Sequence, residues 1–207
     1  MTSLSDAPDK NLSSDGGYEY NTGGSVDFQA CNEGAIISAS DLYQFTEDPD
    51  RYIWSIQQDF TMIPGDNIDE CDNDWRNEYT QAIKHQWDNG DPSGPTVTSH
   101  APSGGKSGRV SSASVEIGTG GVSIGWTYYQ PKVVRHDNTV TDQARWEFDW
   151  EGDMLETNQF RVGSECEFDT AMSTGDKIMD HFEEHTFRDN WGYDANSFTL
   201  WNEFHME

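Results

Sequence analysis

The residues with the clearest chemical potential lie near the end of the printed sequence, in the run HFEEH at 181–185. Its H-x-x-E-H order is that of a class of zinc peptidases, in which two histidines bind the metal and the glutamate activates water. On a helix, His181 and His185 lie one turn apart and can share a Zn²⁺ ion. Glu184 would then polarise the bound water, so a secreted metal-dependent hydrolase is one hypothesis for this chain.

A solvent-exposed acidic helix that carries two histidines explains the same run more simply. The third zinc ligand would have to be Glu203 or His205, the candidates that follow His185. A pattern with three fixed positions also arises easily by chance. We therefore expect no catalytic zinc on His181 and His185, and Glu184 is a catalytic candidate only under the hydrolase hypothesis.

A second candidate site is the acidic segment 66–74. It belongs to a predicted loop over 64–74 that also holds Gly and Asn, and crowded carboxylates in such a loop suit Ca²⁺, which takes six to eight oxygen ligands. The candidate ligands are Asp66, Asp69, Asp72 and Asp74. Their spacing is not that of an EF-hand loop. An ordinary acidic surface explains the cluster as well, and it is the explanation that we favour, with Ca²⁺ kept as the alternative.

The elements that would position these residues are mostly predicted strands. Residues 145–153 alternate aromatic and acidic side chains with period two, which is typical of a strand with one buried and one exposed face. The predicted inward set is Trp146, Phe148 and Trp150, and the predicted outward set is Glu147, Asp149 and Glu151. Further strands are predicted over 34–46, 51–63, 158–169 and 197–204, and a hairpin on either side of Thr119-Gly120-Gly121.

Two short helices are predicted beside the strands. Over 74–87, the residues at helical spacing are Trp75, Tyr79, Ala82, Ile83 and Trp87. Over 174–187, the inward residues of the predicted helix are Ile178, Met179, Phe182 and Phe187. This second helix would carry the HFEEH run, so the zinc hypothesis depends on it.

The overall organisation is predicted to be one domain. Residues 1–25 are polar and rich in Gly and Ser, which is typical of a flexible tail. Residues 88–108 contain Gly, Pro and Ser throughout and are predicted to form a long loop or a boundary within the domain 26–207. The fold class is therefore predicted as mainly β: an antiparallel sandwich or jelly roll with one or two short helices.

Composition limits the possible partners. The chain has 38 Asp and Glu against 12 Lys and Arg, a formal charge of -26, together with 8 Trp, 8 Tyr and 10 Phe. The aromatics favour a packed core, and the acid excess favours high salt, where screening reduces self-repulsion. Without Lys/Arg clusters we expect no nucleic-acid binding, and without a long apolar run we expect no membrane insertion. Hydrated cations and protein partners, including other copies of the chain, are the expected contacts.

The three cysteines leave the disulfide pattern open. Cys31, Cys71 and Cys166 stand far apart and form no C-x-x-C motif, which argues against zinc-knuckle and thioredoxin-like sites. A Cys31–Cys71 disulfide with Cys166 free is the favoured pairing, and three buried thiols are the alternative. The N-terminal residues lack an apolar h-region, so no signal peptide is predicted there, although one could have been removed.

Three segments resemble uncharacterised acidic proteins of haloarchaea. They are GWTYYQPKV at 125–133, ARWEFDWEGD at 144–153 and RVGSECEFD at 161–169, with a weaker match at 69–78. Members of that group include secreted, surface-associated and haloviral proteins. The resemblance implies a high-salt, extracellular setting, and it transfers no catalytic residue to this chain.

These observations lead to one favoured function and two alternatives. We expect a non-enzymatic extracellular structural or binding protein adapted to high salt, as a component of a cell surface, a filament or a virion. A secreted metal-dependent hydrolase using the HFEEH run is the first alternative, and a secreted toxin of the halocin type is the second. No cofactor is expected unless the acidic segment binds Ca²⁺.

Overall fold

The structure is a computed structural model. It describes residues 17–30, 33–68, 75–77, 80–87, 95–102, 113–117, 124–128, 133–137, 139–140, 142–150, 157–189 and 195–207. The strands are β1 (Tyr18–Ala30), β2 (Gly34–Phe45), β3 (Tyr52–Pro64), β4 (Arg76–Asn77), β5 (Thr80–Gln86), β6 (Thr96–Ala101), β7 (Ala113–Ile117), β8 (Ile124–Tyr128), β9 (Val133–Asp137), β10 (Gln143–Trp150), β11 (Asn158–Phe168), β12 (Lys177–Arg188) and β13 (Ala195–His205). A 3-10 turn over Gly65–Asn67 follows β3 directly.

The strands are arranged in two larger antiparallel sheets. Sheet A has the order β1-β2-β3-β11-β6, and sheet B has the order β13-β12-β5-β10-β9, with β4 pairing to β12. Strands β1, β2 and β3 are joined as consecutive hairpins, whereas β11 reaches sheet A from a distant part of the chain. Strands β7 and β8 pair with each other as a separate hairpin. The predicted mainly β, antiparallel sandwich is therefore confirmed.

The inner faces of the two sheets form the core, which has two apolar clusters. Each cluster takes residues from both sheets, as a sandwich requires. The first cluster contains Ile36, Phe60, Met62, Val162, Ile83, Ala144, Trp146, Phe148 and Phe187. The second cluster contains Leu42, Trp54, Ile56, Cys166, Phe168, Trp87, Ile178, Met179 and Phe204. Aromatic side chains thus contribute to both clusters, including three fully buried tryptophans, Trp54, Trp87 and Trp146.

Most predicted strands are confirmed close to their predicted bounds. Strands β2, β3, β11 and β13 match the four predicted segments, and β7 with β8 match the predicted hairpin. On β10, Trp146 and Phe148 are fully buried as expected. Glu147 is half-buried and pairs with Arg145 at 2.8 Å. The side chains of Asp149, Trp150 and Glu151 lie outside the described residues.

Both predicted helices are wrong where the structure describes them. Segment 174–187 contains most of β12, and segment 74–87 contains β4 and β5. Helical and strand periodicity overlap in short segments, and here period two prevails because both segments pair with neighbouring strands. A register shift between Lys177 and Met179 lets both Ile178 and Met179 point inward, which imitates a helical face.

Two further boundary predictions need correction. Strand β1 begins at Tyr18, so residues 18–25 belong to sheet A rather than to a tail. Strand β6 lies inside the segment 88–108 that was predicted as a loop. Of the cysteines, Cys166 is buried with a free thiol, and burial raises its pKa; Cys31 and Cys71 lie outside the described residues. No described segment forms a helix of the length and apolar character needed to cross a membrane.

Candidate functional site: a buried histidine–glutamate layer

A layer of polar side chains separates the two apolar clusters of the core. On each of five strands, the inward-facing positions run from one cluster to the other, because side chains alternate between faces. Where those positions cross the middle of the sandwich, the residue is polar. The fully or almost fully buried members are Ser38 on β2, Gln58 on β3, Ser164 on β11, His85 on β5, and His181, Glu183 and His185 on β12. We call this set the polar layer.

Glu183 is the centre of the polar layer and is fully buried. Its Oε1 accepts hydrogen bonds from Ser38 Oγ and Gln58 Nε2, both on the opposite sheet. Its Oε2 lies 2.6 Å from His185 Nε2. His181 Nε2 lies 3.0 Å from Oε1, within ion-pair distance but outside hydrogen-bond geometry. Both carboxylate oxygens are therefore engaged within the protein, as a buried charge requires.

His85 forms the other half of the polar layer and also connects the two sheets. Its Nδ1 lies 2.9 Å from Ser164 Oγ, and its Nε2 lies 3.0 Å from Gln58 Oε1. Trp87 Nε1 donates to the same Ser164 oxygen at 2.9 Å. The amide oxygen of Gln58 can only accept, so His85 Nε2 must be the donor. Burial lowers the pKa of His85 and so keeps the ring neutral, and Nδ1 then accepts from Ser164 Oγ while the proton is assigned to Nε2.

The hydrogen bonds therefore run in one direction, from Trp87 through Ser164, His85 and Gln58 to Glu183. With His85 neutral, the donor at each step is fixed, so one set of proton positions satisfies the whole chain. Networks of this kind fix one arrangement of the surrounding strands when they are fully satisfied. The chain joins sheet A to sheet B at each of its last three steps.

The electrostatics of the polar layer follow from burial and from these contacts. Burial lowers the pKa of His85 well below its ordinary value of 6.5, and the nearby His181 lowers it further, while Glu183 partly opposes the shift. Burial alone would raise the pKa of Glu183, but its contacts with His181 and His185 outweigh burial and hold that pKa below its ordinary value. The layer thus combines an ionised carboxylate with a neutral histidine.

Aromatic rings enclose the histidines on their open sides. The ring of His85 lies 5.0 Å from that of Trp146, and the ring of His185 lies 5.7 Å from that of Phe60. His185 Nδ1 is buried with no hydrogen-bond partner among the described residues. Such an unsatisfied atom costs free energy, which the four contacts of Glu183 must offset.

The structure distributes the residues of the predicted zinc site over two faces. His181 and His185 point into the core with Glu183 between them, whereas Glu184 is exposed on the other face of β12. Because the HFEEH run lies on a strand rather than a helix, the residues that share one face are His181, Glu183 and His185. Among the described residues, no three His, Cys, Asp or Glu side chains are arranged to hold a metal ion. Glu203 and His205 lie on β13 and are exposed.

The predicted Ca²⁺ site is described only at Asp66. This residue is exposed in the 3-10 turn that follows β3, with its backbone N–H donating to the carbonyl of Trp75 at 3.2 Å. Asp69, Asp72 and Asp74 lie outside the described residues, so the Ca²⁺ site stays a prediction.

Sequence reasoning missed the residues that sheet A contributes to the polar layer. Ser38, Gln58 and Ser164 are common surface residue types and carry no motif. The available signal was positional: each stands two residues from a large apolar residue on the inward face of a predicted strand, as Ser38 does from Ile36. An interruption of that kind on several strands predicts a polar layer crossing a sandwich.

Comparisons with known proteins bear on the fold. No protein-family model matches the chain, and no curated protein sequence does either. Among solved structures, it is similar to Clostridium perfringens delta-toxin, with a TM-score of 0.57 and 8% identity over 92% of this chain and 94% of the toxin chain. A structure named "Pore forming protein" gives a TM-score of 0.47 and 10% identity over 89% of each chain. The delta-toxin likeness shows a shared β fold across almost the full length of both chains.

Proposed function

We propose that this chain is a non-enzymatic structural or binding protein that works outside the cell in high salt, as part of a cell surface, a filament or a virion. The observation that carries the proposal is the enclosure of the polar layer. Glu183, His85 and His185 are fully buried, and the carboxylate oxygens already have partners inside the protein. We therefore assign a structural role to the polar layer and a binding role to the outer surfaces of the sheets.

The charge supports the high-salt part of the proposal. A formal charge of -26 on 207 residues destabilises the compact state through self-repulsion in dilute buffer. At about 1 M salt the screening length is about 3 Å, so most of this cost disappears. Exposed carboxylates on the strands, such as those of Glu19, Glu184 and Glu203, then hold hydrated cations at the surface.

The test is a thermal melt followed by circular dichroism in NaCl from about 0.1 M to above about 1 M. We expect the melting temperature to rise steeply with salt. A variant with Glu19→Gln, Glu47→Gln and Glu184→Gln, all at exposed positions, should show a weaker dependence. A melting temperature that does not change with salt would remove the high-salt proposal. Stoichiometric zinc that stays with the folded protein, together with hydrolytic activity, would replace the non-enzymatic proposal by the hydrolase.

A secreted toxin is the second candidate function. The observation that favours it is the fold likeness to delta-toxin over almost all of both chains. The test is growth inhibition: purified protein is added to cultures of halophilic cells in molar salt, with heat-unfolded protein as the control. Inhibition by the folded protein alone would favour the toxin, and growth at the control rate across a panel of strains would leave the structural or binding protein as the better proposal.

A further inference from the structure

An exposed indole lies on the outer face of sheet B. Trp201 on β13 keeps 55% of its surface exposed. Its Nε1 donates to Asp180 Oδ1 on the neighbouring strand at 3.3 Å. The ring of Phe182 lies beside it, with the centroids 6.4 Å apart and the planes at 29°. The indole is therefore held at its polar edge and along one side, and it presents a planar apolar surface to solvent.

The indole is one end of a row that crosses three strands. Phe182 on β12 pairs in register with Trp201 on one side and with Lys84 of β5 on the other. Lys84 Nζ lies 4.1 Å from the centroid of the Phe182 ring, which is a cation–π contact. Three neighbouring strands span about 10 Å. The row thus offers a flat aromatic end, a second ring and an ammonium donor within the length of two linked sugar rings.

Polar groups line the side of the indole next to Asp180. Lys177 Nζ lies 2.8 Å from Asp180 Oδ2 and 3.9 Å from Glu203 Oε1. His205 Nε2 lies 3.5 Å from Glu203 Oε2. Glu203 and His205 are exposed, so donors and acceptors alternate along this edge. A hydroxyl group both donates and accepts, so such an edge matches it well.

We propose that the row formed by Lys84, Phe182 and Trp201, with its polar edge, is a binding platform for a neutral saccharide. The C–H face of a pyranose ring stacks on Trp201. The hydroxyl groups of the sugar form hydrogen bonds with Glu203 and with the ammonium groups of Lys84 and Lys177. The inference rests on the proposed binding role outside the cell and names its ligand class.

The mixed charges of the platform favour a neutral ligand over a charged one. An anion would meet the carboxylates of Asp180, Glu184 and Glu203, and a cation would meet Lys84 and Lys177. A second copy of the chain would bring another strongly acidic surface against the same carboxylates. Stacking and hydrogen bonding to hydroxyl groups also lose little in molar salt, whereas attraction between exposed charges is screened.

The test measures binding of defined oligosaccharides in NaCl at about 1 M or above, where the chain is expected to be folded. The probes are hexasaccharides of glucose, mannose, galactose and N-acetylglucosamine, with heparin-derived hexasaccharides as the anionic comparison. Binding is measured by calorimetry on the full chain. The variants are Trp201→Ala and Lys84→Met, and the matched control is Tyr20→Ala, an exposed aromatic on sheet A.

We expect at least one neutral hexasaccharide to bind, and its affinity to change less than about twofold as the salt rises further. Trp201→Ala should weaken binding by about tenfold, Lys84→Met by a smaller factor, and Tyr20→Ala not at all. The proposal is overturned if no neutral probe binds, if only the anionic probes bind, or if Tyr20→Ala weakens binding as much as Trp201→Ala. The proposal is also overturned if Trp201→Ala changes the self-association of the chain, measured by sedimentation, but leaves saccharide binding unchanged. None of these results affects the salt-dependent melt, so the two proposals fail separately.

Discussion

The two faces of β12 place similar residue types in opposite environments. On the inner face, His181, Glu183 and His185 are buried and bound to one another and to sheet A. On the outer face, Phe182 packs beside the exposed ring of Trp201, and Glu184 is exposed. Glu183 and Glu184 are neighbours in sequence, yet one carboxylate has lost all contact with water and the other keeps it.

This difference shows that the environment, rather than the residue type, decides what a carboxylate does here. Burying Glu183 has a large desolvation cost, and removing one partner of such a buried pair is strongly destabilising. The contacts that offset the cost come from both sheets, so they are formed only when the sheets pack in the native alignment. The inner face therefore ties the two sheets together, and the outer face is free of that constraint.

The largest effect is expected for an apolar residue beside the polar layer. Trp146→Ala should lower the free energy of unfolding by about 3–5 kcal/mol, because it leaves a large cavity in the first apolar cluster. It also removes the hydrogen bond that Trp146 Nε1 donates to the carbonyl oxygen of Pro102 at 2.8 Å. Urea denaturation in molar NaCl measures the change. A loss below about 1 kcal/mol would mean that this part of the core can be repacked.

The second effect compares the two neighbouring glutamates directly. Glu183→Gln should lower the free energy of unfolding by about 3 kcal/mol, because the amide is neutral and its NH₂ group opposes a histidine donor. Glu184→Gln, the matched control, should stay within about 0.5 kcal/mol of the parent chain. The same urea experiment measures both variants. Equal losses would contradict the distinction between a structural inner face and an exposed outer face.

As the pH falls, the free energy of unfolding should decrease because of the buried titratable groups of the polar layer. The pKa of His85 is lower in the folded chain than its ordinary 6.5, so below that pH the unfolded chain binds more protons and stability falls as pH falls. The slope from one such group is about 1.4 kcal/mol per pH unit. Glu183 has a folded pKa below 4.5, so its stabilising contribution, present above that pH, is lost as pH falls further.

A pH series of urea denaturation experiments checks the contribution of His85. His85→Gln can still form hydrogen bonds but does not titrate, so its stability should change less between pH 6.5 and 4.5. His205→Gln is the control, because His205 is exposed on β13. If His85→Gln and the parent chain lose stability in parallel over that interval, then the acid sensitivity arises elsewhere.

Much of the fold could be predicted from the sequence because period two is a local signal. Alternation over 145–153 and β-branched runs elsewhere predicted most of the long strands and the aromatic core. The two wrong helix predictions, over 74–87 and 174–187, have a common cause. In segments this short, inward residues at positions such as Ile83 and Trp87 fit both a helix turn and a strand with alternating faces, and only pairing with neighbouring strands decides between them.

The candidate site could be predicted only in part. His181 and His185 were singled out, but with the wrong glutamate, because helical spacing favours Glu184 and strand spacing favours Glu183. Ser38, Gln58 and Ser164 come from strands far away in the sequence, and their meeting depends on how the two sheets pack. A local pattern can mark each of them as a polar interruption of an inward face, but it does not say which of them meet.

A smaller stability effect is expected for the outer counterpart of Trp146. Trp201→Ala removes an indole that is 55% exposed, so less buried apolar surface is lost than at Trp146 and no closed cavity forms. The free energy of unfolding should fall by about 1–2 kcal/mol, from the buried part of the indole and its contact with Phe182. Urea denaturation of the two tryptophan variants in the same buffer gives the comparison. A loss near that of Trp146→Ala would show that the outer aromatic row is part of the packed structure. A small loss would mean that Trp201 remains exposed for reasons other than stability, which is what a ligand platform requires.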